Sequence, residues 1–336
     1  MTDQIFQFQS FYPMIRKWHL KAIVQKTISF LPNSHKINYW FQKNITKGVF
    51  LGDDYFFDRL DHAKQHIEAY QQNCGSLEGI KTLELGTGWY PVIPFSLFLS
   101  GVGQINTVDI SNLTNKEKLK DTLDRFVELI EHKQLERYIT AKKERVELLL
   151  TVKNDWDNLK FEEILARLKI HYIVMDARNL VNIEQHSIDL VHSNNTFEHV
   201  YPSILKDILK EFVRVVKQEG LQSHFIDMSD HFAHFDKSIN IYNFLKYSHT
   251  TWDKIIDNNV QPQNRWRFAQ FVHLYQQLNI PISASIVREG DLEALKSINI
   301  HAEWKQYSTE ELAISHCYIF SKMNDHIKVA NSAART

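Results

Sequence analysis

Three features of the sequence predict an α/β fold built on a largely parallel sheet with helices on both faces. Short apolar runs alternate with longer stretches of helical periodicity along most of the 336 residues. The run "KTLEL" at 81–85 ends in a glycine pair, Gly86 and Gly88, and a helical stretch follows at once. A second short run then ends in an acidic residue, Asp109, 21 positions beyond Gly88. Right-handed crossovers put the ends of parallel strands on one edge of the sheet, so binding groups are to be sought just after each strand.

Each element has a local reason. Residues 53–72, "DDYFFDRLDHAKQHIEAYQQ", place Phe56, Leu60, Ala63 and Ile67 on one helical face after an Asp cap. "NCGSLEG" is loop, and "IKTLEL" is a buried strand. Pro91 to Ser100 reads as a helix closed by Gly101, with Pro91 and Pro94 in a first turn that tolerates missing N–H groups. "INTVDI" is a second strand. Thr114 to Ile170 is helical and charged, has room for two or three helices, and opens with a capping box from Thr114 to Glu117. "HYIVMD" and "SIDLVHSN" are third and fourth strands. A helix between Pro202 and Lys217, with Leu205, Ile208, Leu209, Phe212 and Val216 on its apolar face, stops at Gly220. "LQSHFIDM" is a fifth strand. A helix near Arg265 to Leu278 precedes "ISASIVRE" and "SHCYIFSK", the last pair.

Composition narrows the function classes. With 39 basic and 40 acidic residues and no dense basic cluster, nucleic acid is excluded as the main partner. Two distant cysteines, Cys74 and Cys317, form no metal or redox spacing and fit a reducing cytoplasm. No apolar run is long enough for a membrane span, so no integral membrane association is expected. The N-terminal stretch, with Arg16, Lys17, Lys21 and Lys26 among apolar residues, reads as a basic amphipathic helix that packs on its own domain or closes over a substrate, a membrane-surface role being the lesser alternative.

A Gly-x-Gly turn lets backbone approach a ligand closely, and Asp109 is placed to accept hydrogen bonds from ribose hydroxyls. A dinucleotide and S-adenosylmethionine both fit that pattern. Pro91 stands where a dinucleotide loop carries its third glycine, and Glu84 would repel phosphates while favouring a sulfonium and an ammonium group. An NAD-dependent dehydrogenase is therefore the lesser reading. "LELGTG", "VDIS", "MDAR" and "SIDLVHSNNTFEHV" together resemble the successive motifs of class I S-adenosylmethionine-dependent methyltransferases. The resemblance runs from about Lys81 to Asp227. It implies a seven-stranded sheet of order 3-2-1-4-5-7-6 with the last strand antiparallel. It also implies that Glu84, Gly86, Thr87 and Gly88 line the methionine end, that Asp109 and Ile110 meet the ribose, that Asp176 and Ala177 meet the adenine, and that Asn194 lies near the methionine. Residues 1–75 are then a helical N-terminal extension or lid, 76–325 the catalytic domain, and 326–336 a disordered tail. The helical insertion at about 112–170, together with the N-terminal segment, is expected to recognise substrate.

Methyl transfer needs an aligned acceptor and, for a hydroxyl, a base. His199, His231 and His234 fall just after the fourth and fifth strands and are the candidate bases, whereas His192 and His224 sit within strands and read as core. Ubiquinone-pathway and small-RNA methyltransferases bind a divalent ion through a Glu-x-x-Glu-His pattern; Glu198 and His199 match its last two positions, but Asn195 replaces the first Glu, so no metal is expected unless His231 or Asp230 compensates for the lost ligand. The aromatic stretch at about 229–280 reads as a helical cap over the acceptor. Trp89, Tyr90, Glu198, Arg265 and Arg267 are candidate substrate contacts, the arginines for an anionic group. The expected activity is O-methylation of a hydroxyl, phenol or carboxylate on a small or amphiphilic molecule. N-methylation and a catalytically inactive cofactor-binding partner subunit are the alternatives, and a homodimer is compatible with either.

Overall fold

The computed structural model describes residues 16–32 and 50–325. The remaining parts of the N-terminal extension and the tail at 326–336 lie outside the described residues. Seven strands form one sheet: β1 (Lys81–Leu85), β2 (Gln104–Asp109), β3 (Ile170–Val174), β4 (Ile188–Asn194), β5 (Val216–Asp227), β6 (Ala284–Arg288) and β7 (His316–Lys322). Their order is β3-β2-β1-β4-β5-β7-β6, with β7 antiparallel to both neighbours, which is the class I methyltransferase arrangement. β1 lies between β2 and β4, so the strand order reverses there and opens a crevice at the carboxyl ends of β1 and β4.

Eight helices matter for the site: α1 (Lys17–Ser29), α2 (Asp53–Cys74), α3 (Val92–Leu99), α4 (Lys116–Glu131), α5 (Lys143–Asn154), α6 (Phe161–Arg167), α7 (Pro202–Val215) and α8 (Phe268–Gln277). On one face of the sheet, Phe56 and Leu60 of α2 pack with Phe95 and Phe98 of α3 and Leu123 and Phe126 of α4. The insertion joins this core through Leu149, Val152, Trp156 and Ile164, so its inner faces serve folding. The opposite face is closed by Leu205, Leu209 and Phe212 of α7 and Phe271 and Leu274 of α8. A third cluster joins Trp18 and Ala22 of α1 to Phe232, Tyr242, Phe244, Trp252 and Trp304. Thus α1 belongs to the cap rather than to the sheet's own layers.

Three local expectations differ from the structure. The N-cap of α4 is Asn115, whose side chain accepts the Lys118 N–H at 3.0 Å, while Thr114 is buried. The first turn of α2 holds Asp53 and Asp54 after an N-cap Gly52, where the carboxylates favour the helix dipole rather than cap it. Gly220 lies inside β5, which leaves α7 without a loop because Val216 already pairs with Ile188. Pairing across the sheet outweighs the local stop signal there.

Candidate active site

The turn after β1 is folded back onto β2. Gly86 and Gly88 have φ of +81° and +68°, values that side chains disfavour. Gly86 N–H donates to Val108 O at 2.8 Å, and a Cβ on Gly86 would run into Thr196. Gly88 N–H donates to Asp109 Oδ2 and Ser111 N–H to Asp109 Oδ1, both at 3.1 Å. Burial pushes the Asp109 carboxyl up, and these backbone donors oppose it.

Around this turn lies a set of buried polar atoms with no hydrogen-bond partner. They are Glu84 Oε2, Thr87 Oγ1, both amide atoms of Asn194 and both carboxylate oxygens of Glu198. An unmade hydrogen bond at a buried polar group costs about 1–3 kcal/mol, and such groups are rare in native folds. These four residues meet near the ends of β1 and β4, where they suit a polar ligand with amino and carboxylate groups. Burial pushes the Glu84 carboxyl up to about 8, with Arg59 opposing and Asp109 reinforcing the shift.

Arg59 was not singled out by sequence. It projects from α2, donates from Nη1 to Asn195 Oδ1 at 2.6 Å, and lies 4.8 Å from the Tyr55 ring centre. Both Glu84 and Glu198 feel its charge. The only sequence signal was a cation beside the apolar stripe of a helix, which solvated faces share.

At the β2–β3 end, Ile110 and Val174 are apolar yet 71% and 47% exposed, offering a surface on which a flat ring can lie. Asp176 accepts from Arg178 through the backbone N–H at 2.9 Å and through the guanidinium, so an adenine amino group would share that carboxylate. Ala177 is buried beside it.

A narrow cleft lies between α1 and the cap, lined by Lys21, His199, His231, Phe232, Trp252 and Gln263 among others. The rings of His199 and His231 meet edge to face, 4.8 Å between centres. His199 Nδ1 is 2.7 Å from Pro262 O, so Nδ1 carries the hydrogen and Nε2 is left as acceptor. Burial pushes His199 down to about 4, with His231 adding to the shift. His234 has a half-exposed side chain and stands outside this lining. Asp227, which sequence reasoning passed over, is the hub: His231 Nε2 lies at 3.4 Å, His316 Nε2 at 3.2 Å and His234 Nε2 at 3.8 Å. Burial opposes its ionisation, but His231, His234 and His316 hold its carboxyl well below the usual range. Burial pushes Glu198 well above the ordinary value, with Asp227 adding to it.

Other residues are engaged elsewhere. Arg265 donates to Phe244 O and Tyr247 O at 3.0 Å, between the rings of Trp252 and Trp304. Arg267, fully buried, donates to Met228 O, Leu312 O and Ile314 O. Both arginines tie the cap together, because buried carbonyls on irregular backbone need donors; neither lines the cleft. Trp89 and Tyr90 turn toward α4, each ring 4.9 Å from Lys118 Nζ, and also stay outside it. His192 and His224 are fully buried in the sheet, as their strand positions predict.

Among the described residues no helix is long and apolar enough to cross a membrane. The family described as a methyltransferase domain matches residues 140–223. No curated protein matches the chain. Solved structures similar to it include a candidate sarcosine dimethylglycine methyltransferase from Galdieria sulphuraria, at 14% identity and TM-score 0.40, covering 79% of this chain and 86% of that one. A protein from Pyrococcus horikoshii OT3 is 14% identical with TM-score 0.43, covering 84% and 97%. A candidate S-adenosylmethionine-dependent methyltransferase from Listeria monocytogenes is 12% identical with TM-score 0.40, covering 77% and 97%. At these identities and scores the fold assignment rests on the strand order itself, and that order is the class I methyltransferase one.

Proposed function

We propose that the protein is an S-adenosylmethionine-dependent methyltransferase acting on an oxygen of a small or amphiphilic molecule. The observation that carries this reading is the group of unpartnered buried polar atoms on Glu84, Thr87 and Asn194 beside the Gly86–Gly88 turn and Asp109. Bound there, S-adenosylmethionine supplies a methyl group already activated on a sulfonium. Glu84 is suited to its ammonium group, Arg59 to its carboxylate, and Asp109 to the ribose hydroxyls. The cleft would align the acceptor and exclude water, and His231, with Asp227 beside it, would take the proton of a hydroxyl.

Isothermal titration with S-adenosylmethionine, S-adenosylhomocysteine and NAD⁺ tests the cofactor. Heat with NAD⁺ alone would revive the dehydrogenase reading. Mass spectrometry of a mixed acceptor library with labelled cofactor tests the reaction; label only on nucleic acid or protein sinks the small-molecule assignment. Cofactor binding with turnover only in the presence of a second protein would favour a partner subunit.

A second reading, metal-assisted deprotonation, is favoured by one observation. Glu198, His199 and His231 each bring a ligand atom to within 4.8 Å of the others, and both Glu198 oxygens are unpartnered. A carboxylate with two imidazoles suits zinc or manganese better than magnesium. Turnover lost to EDTA and restored by one of these ions would support it; turnover unaffected by chelation would leave the histidine base.

A further inference from the structure

The outer wall of the cleft is α1, and one of its residues carries charge inward. Lys21 lines the cleft with His199, His231, Phe232 and Trp252. Its position is set by a docked helix. Trp18 is buried in the cap with its backbone N–H donating to Asp236 Oδ2 at 3.1 Å, Gln25 Nε2 donates to Gln261 Oε1 at 2.9 Å, and Lys26 Nζ donates to Asp257 O at 2.5 Å.

The Lys21 ammonium stands 5.8 Å from the centre of the Phe232 ring and 5.1 Å from that of Phe235. Among the described residues it forms no ion pair; buried Asp257 also lines the cleft but accepts the Tyr201 hydroxyl and the Gln263 N–H, both at 3.0 Å. Asp230, whose charge it feels, is fully buried and occupied: it accepts the Phe232 N–H at 2.8 Å and the Asn243 amide at 3.1 Å. The neighbouring cations are committed, since Arg265, Arg267 and Lys26 all donate to backbone carbonyls and Lys246 to Asn243 Oδ1. Burial lowers Lys21 from the ordinary lysine value, with Asp230 opposing. A partly desolvated ammonium with three donors and no anion is completed by an oxyanion from solution.

We propose that Lys21 reads a carboxylate on the methyl acceptor, a hydroxy acid whose hydroxyl faces His199 and His231. The proposal rests on the methyl-transfer reading and deepens it. It also moves the anion contact from the arginines of the cap to α1.

The test is calorimetric. Hydroxybenzoates, hydroxycinnamates and medium-chain hydroxy fatty acids are titrated against their primary amides, with wild type, Lys21→Met and Lys21→Arg. Wild type should bind at least one acid roughly 10- to 100-fold more tightly than its amide, the range expected for a charged hydrogen bond. Lys21→Met should erase that preference while leaving amide binding unchanged, and Lys21→Arg should keep part of it. Equal affinity for acid and amide throughout, absence of binding by every acid, or a loss in Lys21→Met that falls equally on both overturns the proposal. S-adenosylhomocysteine is titrated separately. Its failure to bind would sink the methyl-transfer reading, whereas the acid–amide comparison, run without cofactor, reports on Lys21 alone.

Discussion

Gly88 and Asp109 are joined by an N–H to Oδ2 hydrogen bond of 3.1 Å, which ties the turn after β1 to the end of β2. The bond holds the carboxylate at the sheet edge, where ribose hydroxyls can reach its remaining lone pairs. Hydrogen bonds to a charged acceptor contribute about 1.5–3 kcal/mol. Asp109→Ala should therefore weaken S-adenosylhomocysteine by about 10- to 100-fold in isothermal titration. Unchanged affinity would remove Asp109 from the ribose role.

If Glu84 meets the cofactor's ammonium group, binding should depend on pH. Its carboxyl, raised to about 8 by burial, is mostly protonated at neutral pH in the free protein. An ammonium group favours the ionised form, so binding should release a proton at pH 7, and affinity should rise with pH up to about 8 and then level off. Titrations in buffers of different ionisation enthalpy measure this release. In Glu84→Gln the release should vanish and affinity should be lower.

His231 and His199 line the cleft, whereas His234 is half-exposed beyond it. For a hydroxyl acceptor, His231→Ala should lower kcat by about 10²–10⁴-fold with little change in KM. Asp227→Asn, acting through His231, should lower kcat less and shift the pH–rate profile. His234→Ala should have a small effect. A carboxylate acceptor would leave kcat nearly unchanged in all three, because it arrives without a proton to remove.

The sheet interior predicts acid lability. Burial pushes His66 down to about 3, and it pushes His192 and His224 well below the ordinary value of 6.5. These rings stay neutral in the fold but take up protons when unfolded. Their stabilising contribution is whole above pH 6.5 and falls as pH drops toward 3, by up to about 1.4 kcal/mol per pH unit for each ring. Urea unfolding should show a steep loss of stability between pH 6 and 4. Both His192 nitrogens are unpartnered, so His192→Leu should flatten this slope and cost little at pH 7.

How much of this was legible depends on the kind of information each residue carries. Gly86, Gly88 and Asp109 could be read because a strand, a tight turn and a helix each leave a local signature, and right-handed crossovers then place their ends on one edge. The helical faces of α2 and α7 were equally plain, since Phe56, Leu60, Leu205 and Phe212 repeat at the helical period. Tertiary structure alone decided which polar groups meet. Asp227 and His316 lie 89 residues apart and pair because β7 runs antiparallel to β5. Arg59 reaches Asn195 because α2 packs across β4 and β5, and Lys21 reaches the cleft because Trp18 anchors α1 in the cap. Arg265 and Arg267 look from sequence like anion contacts, yet the irregular backbone of the cap takes their donors. Periodicity and turn chemistry are written in neighbouring residues, whereas the partner of a charge is set by the packing of segments far apart in the chain.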